Sequence, residues 1–368
     1  MLLLLALLGC PRPDALEAAI DAPAPITAEQ ADPLSDVSLP DLPLWTNKYA
    51  PARDDYGRFF ALTTLMQRYS FSRLQAIEVQ NHFRDARRAD PTASELALFD
   101  AAVAKVKAGD LESGANAERL AAAPFIVVFD LDETLYDQYY PAVLGEACNT
   151  ARWDAGGATR AVQMAPGWAE LIHAIRGAGG EVALFSANQD ELTLDNLRHL
   201  TLDGVALLDS PDIAAVMTNS YLMMQSKTEG LGAVNPSKGE PVITPSKDLR
   251  IFDASLERVI LVDDNPTRLF QMANTRVTRK FHADAWCSPD VVPAQRAAFD
   301  STLPTVQREV LESVEAMKAG AIPFQQAFLP YTDLGQRAMA ALMTGNTWDA
   351  PTARAALRAN PGLADSKY

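Results

Sequence analysis

Two aspartates, Asp130 and Asp132, lie one residue apart directly after an apolar run at residues 125–129. The run is short and rich in β-branched and aromatic side chains, which predicts a buried parallel strand. In open α/β sheets, ligands bind at the carboxyl ends of such strands. Asp130 alone could serve as the N-cap of a following helix. The Asp-x-Asp-x-Thr spacing, completed by Thr134, instead indicates an active site.

Two further apolar runs end in polar side chains. Residues 181–185 are followed by Ser186, and residues 259–262 are followed by Asp263 and Asp264. One such strand is common, but three in this order are not. The pattern predicts that the three strand ends contribute to one site.

This order of motifs resembles that of phosphatases of the haloacid dehalogenase (HAD) superfamily, and most closely the NLI-interacting-factor-like group, which includes the RNA polymerase C-terminal-domain phosphatases. The resemblance rests on Asp-Leu-Asp-Glu-Thr-Leu at 130–135, Leu-Phe-Ser-Ala-Asn at 184–188, and Lys-Asp-Leu at 247–249 upstream of the Asp263 strand. It covers roughly residues 122–285. It implies an α/β fold with a doubly wound parallel sheet (HAD-like Rossmannoid) and flanking N- and C-terminal helices.

The resemblance also implies a reaction, the hydrolysis of a phosphomonoester through an aspartyl-phosphate intermediate. Asp130 would be the nucleophile. Asp132 would protonate the leaving oxygen and later deprotonate the attacking water. Family members that displace halide lack this second aspartate, so Asp132 argues against a dehalogenase.

A cation is also expected, because carboxylates beside a phosphate dianion would repel it. Hard oxygen ligands favour Mg²⁺. By resemblance, the metal ligands would be Asp130, the backbone carbonyl of Asp132, Asp263 and Asp264. The phosphate would be bound by Thr134, Ser186, Ala187 and Lys247.

Lys247 is one of three lysines between the second and last motifs, with Lys227 and Lys238. We favour Lys247 because it opens the Lys-Asp-Leu sequence and lies just upstream of the segment that leads to the Asp263 strand. Lys227 and Lys238 belong to a polar insertion.

The amino terminus, residues 1–10, is an apolar run ending in Leu-Leu-Gly-Cys and resembles a bacterial lipobox. Cleavage before Cys10 and acylation of its thiol would anchor the protein in the bacterial cell envelope, outside the cytoplasm. No Lys or Arg precedes the apolar run, so either the start is assigned too late or the match is accidental and the protein is cytoplasmic. Residues 11–44 are rich in proline and predict a disordered tether.

The rest of the chain divides into three predicted parts. Residues 45–121 form a helical N-terminal segment, residues 122–290 the catalytic domain, and residues 291–368 a helical C-terminal segment. Within the catalytic domain we expect a small flap near residues 137–165. An insertion near residues 209–245 looks loop-like and is the favoured substrate-facing element.

Composition limits the partners. The chain has 368 residues and a net charge of −15, which argues against nucleic-acid binding. A phosphorylated small molecule or a phosphoprotein is the expected substrate. The runner-up function is a catalytically idle HAD scaffold that binds a phosphate ligand or a protein. Cys148 and Cys287 could pair outside the cytoplasm or be free buried thiols.

Overall fold

The computed structural model describes residues 43–44, 62–139, 148, 151–227 and 242–364. Its strands, in chain order, are β1 (Pro43–Leu44), β2 (Ile126–Phe129), β3 (Tyr136–Tyr139), β4 (Ala151–Asp154), β5 (Thr159–Met164), β6 (Glu181–Phe185), β7 (Thr201–Leu202), β8 (Val205–Ala206), β9 (Ile213–Met217), β10 (Leu222–Lys227), β11 (Val242–Ser246), β12 (Val259–Asp263) and β13 (Thr275–Val277). The α-helices are α1 (Leu62–Tyr69), α2 (Arg73–Ala89), α3 (Glu95–Lys107), α4 (Ala117–Ala122), α5 (Trp168–Gly177), α6 (Asp190–His199), α7 (Ala283–Cys287), α8 (Pro293–Asp300), α9 (Thr302–Gly320), α10 (Phe324–Phe328), α11 (Asp333–Asn346) and α12 (Ala350–Ala359).

The central sheet contains five parallel strands in the order β13-β12-β2-β6-β9. The chain enters at β2, runs outward to β6 and β9, and then returns to β12 on the other side of β2. The strand order therefore reverses between β2 and β12, and in such sheets ligands bind at the carboxyl ends beside that point. This architecture confirms the predicted α/β class with a doubly wound parallel sheet.

Helices cover both faces of this sheet. Along β2 the side chains alternate, so that Ile126 and Val128 belong to one core while Val127 and Phe129 belong to the other. The first core includes the N-terminal helices α1 to α3, and the second includes α5 and α9. Helices α11 and α12 add a smaller core of their own. The flanking segments are thus helical, as the sequence predicted.

The predicted flap is a small antiparallel sheet in the order β3-β5-β4. A disulfide between Cys148 and Cys287 joins the segment between β3 and β4 to the end of α7. Of the two states left open by the sequence, the structure therefore has the paired one.

Two expectations need correction. The prediction of a loop near residues 209–245 is wrong for the described part of that insertion, since residues 213–217 form the edge strand β9 of the central sheet and β10 pairs with β11. Residues 43–44, assigned to the tether, form β1 and pair with β10. Strand β9 was missed because the short run Ile213–Met217 contains two alanines and lacks a clear strand pattern. Strand β1 was missed because it contains a proline, which an edge strand tolerates.

The lipobox, Cys10 and residues 11–42 lie outside the described residues. Within the part of the chain that the structure describes, no helix is both long enough and apolar enough to cross a membrane.

We predict that two neighbouring glycines respond to alanine with opposite signs. A Cβ at Gly180 would lie 2.2 Å from the ring of Phe125, which is fully buried against Phe324, so Gly180→Ala should cost about 1–3 kcal/mol. A Cβ at Gly177, the last residue of α5, meets nothing within 4 Å, and Gly177→Ala should stabilise by up to about 1 kcal/mol. Urea unfolding of both variants measures the difference. Equal effects would contradict the packing described here.

Candidate active site

The carboxyl ends of β2 and β12 bring two aspartates together. Phe129 pairs with Val262 in the parallel ladder, so the next residues, Asp130 and Asp263, lie side by side. The ammonium of Lys247 lies between them, with its Nζ 2.6 Å from Asp130 Oδ1 and 2.6 Å from Asp263 Oδ2. All three side chains are buried. The structure therefore brings together three of the predicted site residues.

Lys247 owes its position to local structure. It follows β11 directly and forms an isolated parallel bridge with Leu269, which fixes the backbone beside the strand ends. Burial alone would lower the pKa of Lys247, but attraction by Asp130 and then Asp263 more than compensates and raises it. The site thus holds a permanent positive charge. The side chain of Lys227 and all of Lys238 lie outside the described residues.

Asp264 completes an acidic cluster with Asp130 and Asp263. One carboxylate oxygen from each lies within 4.8 Å of the others. Burial, and then repulsion by Asp263, raises the pKa of Asp264, and the same two causes raise the pKa of Asp130 well above its usual value. The three carboxylates are buried and form an oxygen-only donor set, which suits a hard divalent cation.

Thr134, which the sequence predicted to bind phosphate, contacts Asp264 in this structure. Its hydroxyl donates to Asp264 Oδ1 at 3.0 Å and accepts from the Asp264 backbone N–H at 3.1 Å. Because its single hydroxyl hydrogen is donated to Oδ1, Thr134 orients the carboxylate of Asp264.

Asp132 lies beside the cluster and accepts three hydrogen bonds. Its Oδ1 accepts from the amides of Gln138 at 2.8 Å and Asn188 at 3.3 Å, and its Oδ2 accepts from the hydroxyl of Ser186 at 3.1 Å. Ser186 is fully buried and also accepts from the Asn188 backbone N–H. In this structure its hydroxyl therefore contacts Asp132.

A cavity of about 430 Å³ opens at these strand ends. It is lined by Asp130, Asp132, Glu133, Asp137, Gln138, Ala187, Asn188, Lys247, Asp264 and Asn265. Ala187, which the sequence predicted to bind phosphate, lies on the cavity wall.

Three contacting residues were missed by sequence reasoning. Gln138 and Asn188 contact Asp132, and Lys280 lies 3.3 Å from Asp264 while also contacting Glu133. Asn188 follows a predicted site residue closely and could have been found. Gln138 and Lys280 carry no sequence signal, since each reaches the site by tertiary folding.

Comparisons with known proteins agree with the motifs. Residues 125–285 match the family model of the NLI interacting factor-like phosphatases, which confirms the predicted HAD-type phosphatase domain in that part of the chain. A comparison with curated proteins finds no match.

Solved structures of the RNA polymerase II CTD phosphatase Fcp1 are similar to this chain. The first is a structure of Fcp1 as an essential RNA polymerase II CTD phosphatase. It has 10% identity and a TM-score of 0.38, and the alignment covers 61% of this chain and 82% of that chain. Another, of a fission yeast Fcp1 variant bound to beryllium fluoride, has 11% identity and a TM-score of 0.30, covering 63% of this chain and 70% of that one.

We predict that Lys247→Met destabilises the metal-free protein more at high pH than at low pH. Without the ammonium, which lowers the pKa of Asp130, that pKa rises further above its unfolded value. A carboxyl group whose pKa is raised in the folded state stabilises the fold at low pH. This stabilisation is lost as the pH rises through the folded-state pKa. The loss of unfolding free energy should reach about 3–5 kcal/mol near pH ~8 and shrink by more than about 1 kcal/mol near pH ~5.

Chemical unfolding in EDTA at the two pH values measures this difference. Lys280→Met is the matched control, because Lys280 is 48% exposed and its loss should cost less than about 1 kcal/mol. A loss for Lys247→Met that is independent of pH would contradict the charge arrangement.

Proposed function

We propose that this chain, whose residues 125–285 form an NLI interacting factor-like phosphatase domain, is a Mg²⁺-dependent phosphomonoesterase that works through an aspartyl-phosphate on Asp130. The observation that carries the proposal is the placement of Lys247 between Asp130 and Asp263 at the switch point of the sheet. A positive charge fixed beside a nucleophile and an acidic cluster is the arrangement that phosphoryl transfer requires.

The metal would be held by Asp130, Asp263 and Asp264, together with the backbone carbonyl of Asp132. The three carboxylates are buried, close together and consist only of oxygen donors, which fits Mg²⁺. When bound, the ion would neutralise charge on the phosphoryl oxygens.

The chain's own residues would perform the bond changes. A carboxylate oxygen of Asp130 attacks phosphorus, and the bond to the leaving oxygen breaks as Asp132 donates a proton to it. Asp132 then takes a proton from water, which attacks the aspartyl-phosphate and releases inorganic phosphate and free Asp130. Lys247 attracts the phosphoryl oxygens, while Ala187 and Asn188 on the cavity wall face the bound ester.

The proposed substrate is a phosphorylated small molecule or a phosphoprotein outside the cytoplasm. The Cys148–Cys287 disulfide supports that compartment, because disulfides persist in oxidising environments. Acylated Cys10 would anchor the protein to a membrane, and the proline-rich residues after it would extend the catalytic domain away from the surface. The complete set of Asp130, Asp132, Lys247 and Asp263 argues against an idle scaffold.

We predict that Asp130→Asn lowers turnover of a chromogenic phosphate ester by more than about a thousandfold, because an amide cannot replace the carboxylate as nucleophile. The variant should fold, since the amide has nearly the same shape. Release of the chromophore with Mg²⁺ measures activity, and EDTA should abolish it in the unmodified protein.

Asp284→Asn is the matched control, because this exposed aspartate lies outside the cavity lining. Its activity should stay within about twofold of the unmodified protein. Retention of substantial activity in Asp130→Asn would exclude the covalent mechanism.

We predict that the chain, expressed in a bacterial host, incorporates labelled palmitate and fractionates with membranes, and that Cys10→Ala abolishes both. The reason is that only the acylated thiol would supply the anchor. Cys287→Ser should retain the label. Unchanged labelling of Cys10→Ala would refute the anchor.

A further inference from the structure

The carboxylate of Asp132 is held on both sides by neutral hydrogen-bond donors. Two amides meet at its Oδ1, and Gln138 is the closer of the two at 2.8 Å. Two donors on one oxygen and the Ser186 hydroxyl on the other restrict rotation of the carboxylate plane. A proton donor must keep its orientation to reach a leaving oxygen in the cavity.

Gln138 belongs to the flap and not to the central sheet. It lies on β3, and both of its preceding neighbours are anchored to other parts of the protein. Tyr136 is fully buried and its hydroxyl accepts from the Asn196 amide at 3.2 Å. The Asp137 carboxylate accepts from the Ala283 backbone N–H at 2.7 Å. These two attachments hold β3 over the site and keep the Gln138 amide directed at Asp132.

We infer that Gln138 is a positioning residue, which orients Asp132 for proton transfer to the leaving group and thereby makes the flap part of the catalytic apparatus. The inference rests on the proposed phosphatase function. It gives the flap a role in the chemical step in addition to enclosing the cavity.

This role has a signature in leaving-group dependence. A basic leaving oxygen needs a proton as its bond to phosphorus breaks, whereas a stable phenolate departs with little help. Loss of orientation at Asp132 should therefore slow esters with poor leaving groups selectively. The ratio kcat/KM is the appropriate measure, because it excludes the later hydrolysis of the aspartyl-phosphate.

The test compares phenyl phosphate, a poor leaving group, with dinitrophenyl phosphate, a good one, using the full chain with Mg²⁺. For Gln138→Leu, kcat/KM for phenyl phosphate should fall about 10- to 100-fold, the range for a hydrogen bond to a charged group. For dinitrophenyl phosphate it should fall less than about threefold. Gln138→Asn, whose amide is too short to span the 2.8 Å contact, should show the same selectivity and carries the test if the leucine variant does not fold.

Gln163→Leu is the matched control on the adjacent strand β5. Its amide donates to the Met164 carbonyl at 3.0 Å and has no hydrogen bond to Asp132 within the described residues. Any loss that it shows should be equal for both esters. This variant separates disturbance of the flap from loss of the Gln138 contact.

A double-mutant cycle isolates the coupling between Gln138 and Asp132. Asp132→Asn should itself lower kcat/KM more for phenyl phosphate than for dinitrophenyl phosphate. Adding Gln138→Leu to Asp132→Asn should change kcat/KM for phenyl phosphate less than about twofold, because the group to be oriented is gone. Additive effects would overturn the inference, as would equal losses on the two esters or no loss at all for Gln138→Leu. If the unmodified chain hydrolyses neither ester, the proposed function fails and the inference fails with it.

Discussion

The ammonium of Lys247, held between the carboxylates of Asp130 and Asp263, is the interaction on which the site depends. Charges buried from water require close partners, and here one cation contacts two anions at 2.6 Å. The parallel register of β2 and β12 sets the separation of the two aspartates, and the bridge at Lys247 supplies the cation from a third segment. Asp264 adds a third carboxylate, and the ammonium nearest to it, that of Lys280, is shared with Glu133, so the negative charges at the site outnumber the positive ones. The excess negative charge accounts for the proposed divalent cation.

The surroundings of Asp132 follow a different principle. Asp130 and Asp263 contact a charged partner, whereas Asp132 accepts hydrogen bonds from Gln138, Asn188 and Ser186, all neutral. Neutral donors can orient a carboxylate without adding a fixed charge to it. Two aspartates separated by one residue thereby acquire the separate proposed roles of nucleophile and proton carrier. The flap contributes to this difference, and the Cys148–Cys287 disulfide links the flap segment to α7.

Sequence reasoning succeeded where the information is local. Asp130, Ser186 and Asp263 each follow an apolar run at once, so the strands and the residues at their ends were predicted together. Lys247 was found through the short Lys-Asp-Leu sequence. The edge strand β9 was missed because Ile213–Met217 is short and partly alanine, and its place in the sheet comes from pairing with β6.

The remaining features arise from contacts that no sequence window contains. The hydroxyl of Thr134 meets Asp264 across 130 positions, and Lys280 meets Glu133 across 147. Whether Thr134 faces a phosphate or a neighbouring carboxylate is decided by the packing of β2 against β12. The pairing of Cys148 with Cys287 likewise depends on where the flap segment meets α7.

The most direct measurement is chemical trapping of the intermediate. Acid quenching during turnover, followed by borohydride reduction, converts an aspartyl-phosphate to homoserine, and peptide mass spectrometry locates the converted residue. The account predicts homoserine at position 130 and at no other aspartate. Turnover without any conversion, or conversion at Asp132 or Asp263 in place of Asp130, would contradict it.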